Sequence, residues 1–109
     1  MSVREVSVDD LAALLRTGDA TVIDVREADE YARGHVPGAR NVPLAEIPAA
    51  LEDLRGLAAL HVVCATGGRS LYACEWLHDR GVTQAVNVAG GTKLWTLLGH
   101  PVESGVPDA

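Results

Sequence analysis

Phenylalanine is absent from this 109-residue chain, and tryptophan and tyrosine occur only twice each. Hydrophobic residues still make up 48% of it. The core must therefore be mainly Val, Leu, Ile and Ala, a mix that suits helices packed on a sheet better than an aromatic-rich β-sandwich. Lysine is nearly absent as well: Lys93 is the only one, no Lys/Arg cluster occurs, and the net charge is −6. Nucleic-acid binding needs a basic stripe, so the composition argues against a nucleic-acid partner. No apolar run approaches the roughly 18–20 residues that cross a bilayer, so no membrane partner is expected. Cys64 and Cys74 are the only cysteines, too few for a disulfide scaffold. The start, Met1-Ser2-Val3-Arg4-Glu5, lacks the charged-then-apolar order of a signal peptide. Two free thiols in a reducing cytoplasm, and one domain over residues 1–109, are the expectations.

Strand-like and helix-like segments alternate along the chain. Arg4-Glu5-Val6 reads as a short strand. Ser7 stands three residues before Asp10, a capping-box-like start, and Val8, Leu11, Ala12 and Leu15 follow at helical spacing up to Gly18. Thr21 to Val25 is a β-branched run that predicts a buried strand. Glu27 to Arg33 predicts a short helix, Ala39 to Val42 a short strand, and Ala45 to Leu54 a helix with Pro48 in its first turn. Leu60 to Cys64 is the next buried strand, Ser70 to Arg80 a helix, Gln84 to Val88 a strand, and Thr92 to Leu98 a final helix. The tail 101–109 carries two prolines and a glycine and is expected to be loosely ordered towards its end. Strands alternating with helices imply parallel crossovers, a sheet covered on both faces, and a ligand site beyond the carboxyl ends of the strands.

The chemistry concentrates at Cys64-Ala65-Thr66-Gly67-Gly68-Arg69-Ser70. A cysteine ends a strand, two glycines let the chain turn sharply, and a helix begins. Such a turn aims successive N–H groups inward as an anion nest, to which the helix adds its positive end and Arg69 a permanent cation. An unperturbed thiol is only about 3% thiolate at pH 7, so a nucleophile needs this kind of help. The competing reading is a buried strand-end cysteine beside a structural turn.

This loop resembles the active-site loop of the single-domain rhodanese-like sulfurtransferases. Asp24-Val25-Arg26-Glu27, Gly34-His35-Val36-Pro37-Gly38-Ala39, Gly90-Gly91-Thr92-Lys93-Leu94-Trp95 and the ending His100-Pro101-Val102-Glu103 are similar to further segments of that family, in the same order. The resemblance runs from about Val3 to Glu103. It implies an α/β rhodanese-like domain with a central, mostly parallel sheet and helices on both faces. It also implies a sulfur carried as a persulfide on Cys64, with the loop groups of Ala65, Thr66, Gly67, Gly68, Arg69 and Ser70 around it. Asp24 is implied to pair with an arginine and brace the site, and Arg26 is nearest in sequence. The implied partners are small sulfur donors such as thiosulfate, persulfide or polysulfide, with thiol or cyanide acceptors, or a protein donor or acceptor. No metal and no organic cofactor is called for. Cysteine phosphatases and arsenate reductases of this fold have five residues between cysteine and arginine. Here there are four, which favours sulfur.

The other candidates read as structural. His35 is similar to a scaffold histidine bonding backbone. His61, His78 and His100 lie apart, without ligand spacing. Cys74 shares a helical face with Ala73 and Leu77 and is expected to pack in the core. Trp95 is expected to anchor the core, and Gly90-Gly91 to let the backbone pass close to the Cys64 loop. Two rivals to a sulfurtransferase remain: a non-catalytic or partner-fed sulfur-relay module, and a phosphatase or arsenate reductase. A Cys64–Cys74 redox pair is disfavoured because the spacing is not Cys-x-x-Cys.

Overall fold

The computed structural model describes residues 3–106. Five parallel strands form one sheet in the order β1-β5-β4-β2-β3: β1 (Glu5–Val6), β2 (Thr21–Asp24), β3 (Arg40–Asn41), β4 (Leu60–Val63) and β5 (Val86–Val88). Between them run the helices α1 (Val8–Arg16), α2 (Ala28–Arg33), α3 (Leu51–Arg55) and α4 (Gly68–Asp79). The last helix, α5 (Gly91–Leu97), follows β5. The expected "mostly parallel" sheet is fully parallel, and no helix among the described residues is long and apolar enough to cross a membrane.

The side-chain period of two in a strand divides the interior. Ile23, Leu60 and Val62 face one way and meet Leu54 of α3 and Ala73, Cys74 and Leu77 of α4. Val22, Val63 and Val88 face the other way and meet Val8 and Leu11 of α1, Tyr31 of α2 and Trp95 of α5. Both faces are covered, which is why β2 and β4 read as unbroken apolar runs. Fully burying each such side chain is worth about 1.5–3 kcal/mol. Trp95 is buried, and its Nε1 donates to Pro101 O at 2.7 Å, so it anchors the chain beyond α5 as well as the core. Cys74 is fully buried between α4 and the sheet, as its spacing predicted.

Local signals explain most helix boundaries. Ser7 Oγ accepts from Asp10 N at 3.0 Å and starts α1. At α2, Glu27 and Glu30 form a reciprocal capping box. The expected helix Ala45–Leu54 is broken instead. A 3₁₀ turn at Leu44–Glu46 and the separate α3 flank Pro48. Proline has no N–H to return to the carbonyl of residue 44, and its ring crowds that carbonyl, so the segment runs as turns until Leu51. Further along, His35 and Glu103 exchange two backbone hydrogen bonds of 2.8 and 2.9 Å, and Gly105 N donates to Ala32 O at 2.7 Å. These bonds hold the tail against α2 as far as Gly105. The tail 101–109, expected to be loosely ordered towards its end, is thus pinned over its first part, and residues 107–109 lie outside the described residues.

The chain steps outward from β2 to β3, then returns to place β4 on the other side of β2. That reversal opens a crevice at the carboxyl ends of β2 and β4, where α/β sheets bind ligands. The register sets Asp24 against Val63, so the residues that follow each strand meet at this edge.

Candidate active site

Cys64 directly follows β4, and its side chain is turned into the loop that leads to α4. Residues 65–67 bend back, and Gly67 adopts φ +108°, a left-handed conformation that only glycine takes readily. This bend brings the start of α4 over the sulfur. Gly67 N lies 3.1 Å from Cys64 Sγ, and Ser70 Oγ lies 3.3 Å from it. Burial alone would push the Cys64 thiol up. The Ser70 hydroxyl and the backbone N–H groups of Ser70, Gly67 and Thr66 more than offset that, and the thiol sits below its ordinary value. Cys74 has no such donors, and burial pushes it up to about 12. The surroundings of the two cysteines thus act in opposite directions, lowering Cys64 and raising Cys74.

Ser70 belongs to a longer hydrogen-bonded chain that runs from the buried loop out to Glu5. Its hydroxyl is 2.6 Å from Asn87 Oδ1, and Asn87 Nδ2 donates to Glu5 Oε2 at 2.7 Å and to Gly67 O at 3.3 Å. Two acceptors on the Nδ2 side leave Oδ1 facing Ser70. The single Ser70 proton therefore has two acceptors, Asn87 and the sulfur. Asn87 escaped the sequence reading because its part depends on β5 lying beside β4.

The second glycine turn presses on the loop from below. Thr92 N donates to Cys64 O and Lys93 N to Ala65 O, each at 2.9 Å. A Cβ on Gly91 would collide with the carbonyl oxygens of Cys64 and Ala65. The close passage expected of Gly90-Gly91 is therefore a double hydrogen-bonded clamp.

Arg69 is placed differently from the expectation of a free cation beside the sulfur. Its guanidinium forms a two-pronged pair with Glu30, at 2.8 and 3.0 Å, and the Arg69 side chain is 39% exposed. Glu30 is held down to about 2, chiefly by the Arg69 hydrogen bond. Hydrogen-bond donors, rather than the Arg69 charge, lead the stabilisation of the Cys64 anion. No sequence signal pointed to Glu30, which is 39 positions away from its partner.

Asp24 and Arg26 do pair. Asp24 is fully buried, and Arg26 reaches it through Nε, Nη2 and its backbone N at 2.8–3.1 Å. Arg26 Nη2 also donates to Gly34 O at 2.8 Å, and Asn41 Nδ2 caps Asp24 O and Arg26 O at 3.0 and 2.9 Å. The pair ties the end of α2 and β3 to the edge where Cys64 sits. His35 is a scaffold residue: its ring stacks on Tyr31 at 3.7 Å, and Nδ1 meets Tyr31 O at 2.8 Å. No cluster of metal-ligating side chains occurs among the described residues.

Comparison with known proteins matches residues 7–98 to the rhodanese-like domain. A sulfurtransferase of Allochromatium vinosum is 30% identical over 92% of this chain and 94% of its own length. Human thiosulfate:glutathione sulfurtransferase is 36% identical over 83% of this chain and 90% of its own. The crystal structure of a rhodanese-related protein from Thermoplasma volcanium superposes with a TM-score of 0.82 at 34% identity, covering 92% of this chain and 97% of that one. Two Bacillus subtilis relatives are longer, and the chain spans 52% and 60% of their lengths. A match over most of the sequence, a solved structure with the same fold, and a cysteine loop clamped at the sheet edge agree that this chain belongs to the rhodanese-like domain family.

Proposed function

We propose that the protein is a sulfurtransferase that carries the transferable sulfur as a persulfide on Cys64. The observation that carries this reading is the set of donors converging on Sγ, from Gly67 N at 3.1 Å and Ser70 Oγ at 3.3 Å, around a thiol already biased towards its anion. Sulfurtransferases of similar length among its relatives support it.

The Cys64 thiolate attacks the outer sulfur of a donor. With thiosulfate the S–S bond of the donor breaks, sulfite leaves, and Cys64–S–S⁻ remains, with charge conserved. The N–H groups that face the thiolate then face the persulfide anion. An acceptor removes the outer sulfur in a second displacement, so the scheme is ping-pong. Ala65, Thr66, Gly67, Gly68 and Ser70 form the cradle in this reading. Asp24 and Arg26 brace it. Arg69 acts from its ion pair with Glu30 rather than as a free ligand.

That ion pair also bears on the phosphatase alternative. An arginine committed to a carboxylate is poorly placed to clamp a phosphoryl group, and the four-residue interval to Cys64 keeps the cradle short. The test is intact mass after incubation with thiosulfate or polysulfide in the absence of reductant, next to Cys64→Ser. The expected result is a gain of one sulfur atom, removed by cyanide and absent from the variant. Phosphatase turnover without any sulfur gain would overturn the reading.

A further inference from the structure

The chain has nine Lys and Arg residues against fifteen Asp and Glu residues, yet three of its cations gather at one place. Arg26, Arg33 and Lys93 line an open hollow of about 240 Å³ between α2 and α5, with Ala65 of the cysteine loop in its wall. Glu30 is the one carboxylate there, and Arg69 neutralises it. Arg26 is consumed by Asp24 and Gly34. Arg33 has only a loose 3.4 Å contact with Asp29, both side chains being more than 70% exposed, and Lys93 forms no ion pair among the described residues. Lys93 is thus unpaired among the described residues, and Arg33 is held only by an exposed, solvent-screened contact. Thr92, from the same wall, has a buried hydroxyl without a hydrogen-bond partner among the described residues. The Lys93 and Thr92 backbones are fixed to Ala65 and Cys64 at 2.9 Å, so this wall cannot drift from the reactive loop.

We propose that this hollow is the subsite for the anionic end of the sulfur acceptor, and that the acceptor is a thiol with a carboxylate a few bonds from its sulfur. The proposal rests on the sulfurtransferase reading. The hollow has room for about eight water molecules, which fits a small mercaptocarboxylate. Lys93 and Arg33 attract the carboxylate, and the Thr92 hydroxyl gains an acceptor. The thiol then attacks the outer sulfur. RSH and Cys64–S–S⁻ become RSSH and Cys64–S⁻: one S–S bond breaks, one forms, and no oxidant is needed.

The test removes sulfur from persulfide-loaded protein with 3-mercaptopropionate, 2-mercaptoethanol or cysteamine, comparing the native chain with a Lys93→Ala/Arg33→Ala double variant. Both positions are exposed, so the fold is retained. Taking the variant-to-native ratio for each thiol cancels its intrinsic reactivity. The expected result is a loss of about tenfold with 3-mercaptopropionate and less than about twofold with the other two. Equal changes with all three thiols would overturn the subsite. A second measurement needs no sulfur transfer: alkylation of Cys64 by iodoacetate relative to iodoacetamide. That ratio should fall several-fold in the variant, and an unchanged ratio overturns the cationic subsite. Failure to load sulfur on the native chain sinks the functional reading instead, while the alkylation ratio still decides the subsite.

Discussion

Replacing Ser70 by Ala deletes the side-chain donor to the Cys64 anion together with its bond to Asn87 Oδ1, while the backbone N–H of residue 70 remains. A hydrogen bond to an ionised group contributes about 1.5–3 kcal/mol. Sulfur is a weak acceptor, the separation is 3.3 Å, and the same proton is offered to Asn87 at 2.6 Å. The low end of the range, about 1.5 kcal/mol, therefore applies. That corresponds to about tenfold less thiolate at any pH below the Cys64 titration. The assay is the rate of iodoacetamide alkylation of Cys64 between pH 5 and 9, with mass spectrometry to confirm the residue. The profile of Ser70→Ala should move to higher pH, with its low-pH rate about tenfold reduced and its high-pH plateau kept. The plateau separates a shifted titration from a displaced loop. If the low-pH rate stays within about twofold of the native chain, the hydroxyl does not stabilise the anion and the reasoning fails.

Gly91→Ala places a methyl group against the carbonyls of Cys64 and Ala65 in a left-handed conformation. It should cost at least about 2 kcal/mol in urea denaturation and slow Cys64 alkylation as the clamp opens. Arg26→Met leaves Asp24 buried without its counter-charge and should destabilise by about 3–5 kcal/mol, measured the same way. Glu30 has its folded value depressed to about 2, so the stability it adds is present above its unfolded value near 4.5 and is lost as pH falls towards 2. Glu30→Gln should then be less stable than the native chain by at most about 1 kcal/mol at pH 7, because the pair is partly exposed. At pH 2 the two proteins should differ much less. Cys74, pushed up to about 12, should stay unlabelled by iodoacetamide at pH 8 in the folded protein; labelling of Cys64→Ser would contradict this.

Some of this was legible in the sequence because it is local. The alternation of β-branched runs with amphipathic stretches specified the parallel sheet, since each signal repeats at the period of its own element. Ser7 as a cap, Cys64 at a strand end before two glycines and Cys74 on the inner face of its helix each follow from residues within about ten positions of one another, and the Asp24–Arg26 pair, implied by the family resemblance, is local as well. Pro48 is visible as well, but it breaks the segment instead of sitting in a first turn, because a helix of this length cannot absorb a missing N–H and a blocked carbonyl in its middle.

What only the tertiary structure decided lies between distant segments. Glu30 and Arg69 come from different helices, and their pairing turns an expected free cation into a committed one. Glu5, Gly67, Ser70 and Asn87 join into one hydrogen-bonded chain only because β1, β5 and β4 are neighbours in the sheet. Arg33 and Lys93 share a hollow only because α2 and α5 both pack over the sheet edge that carries Cys64. Backbone propensity and side-chain periodicity act over a few residues, so the sequence by itself determined most of the elements and singled out Cys64 at its strand end. Hydrogen bonds and ion pairs act over about 3 Å in space whatever the separation along the chain, so the strand order and the packing of the helices decided what surrounds that cysteine.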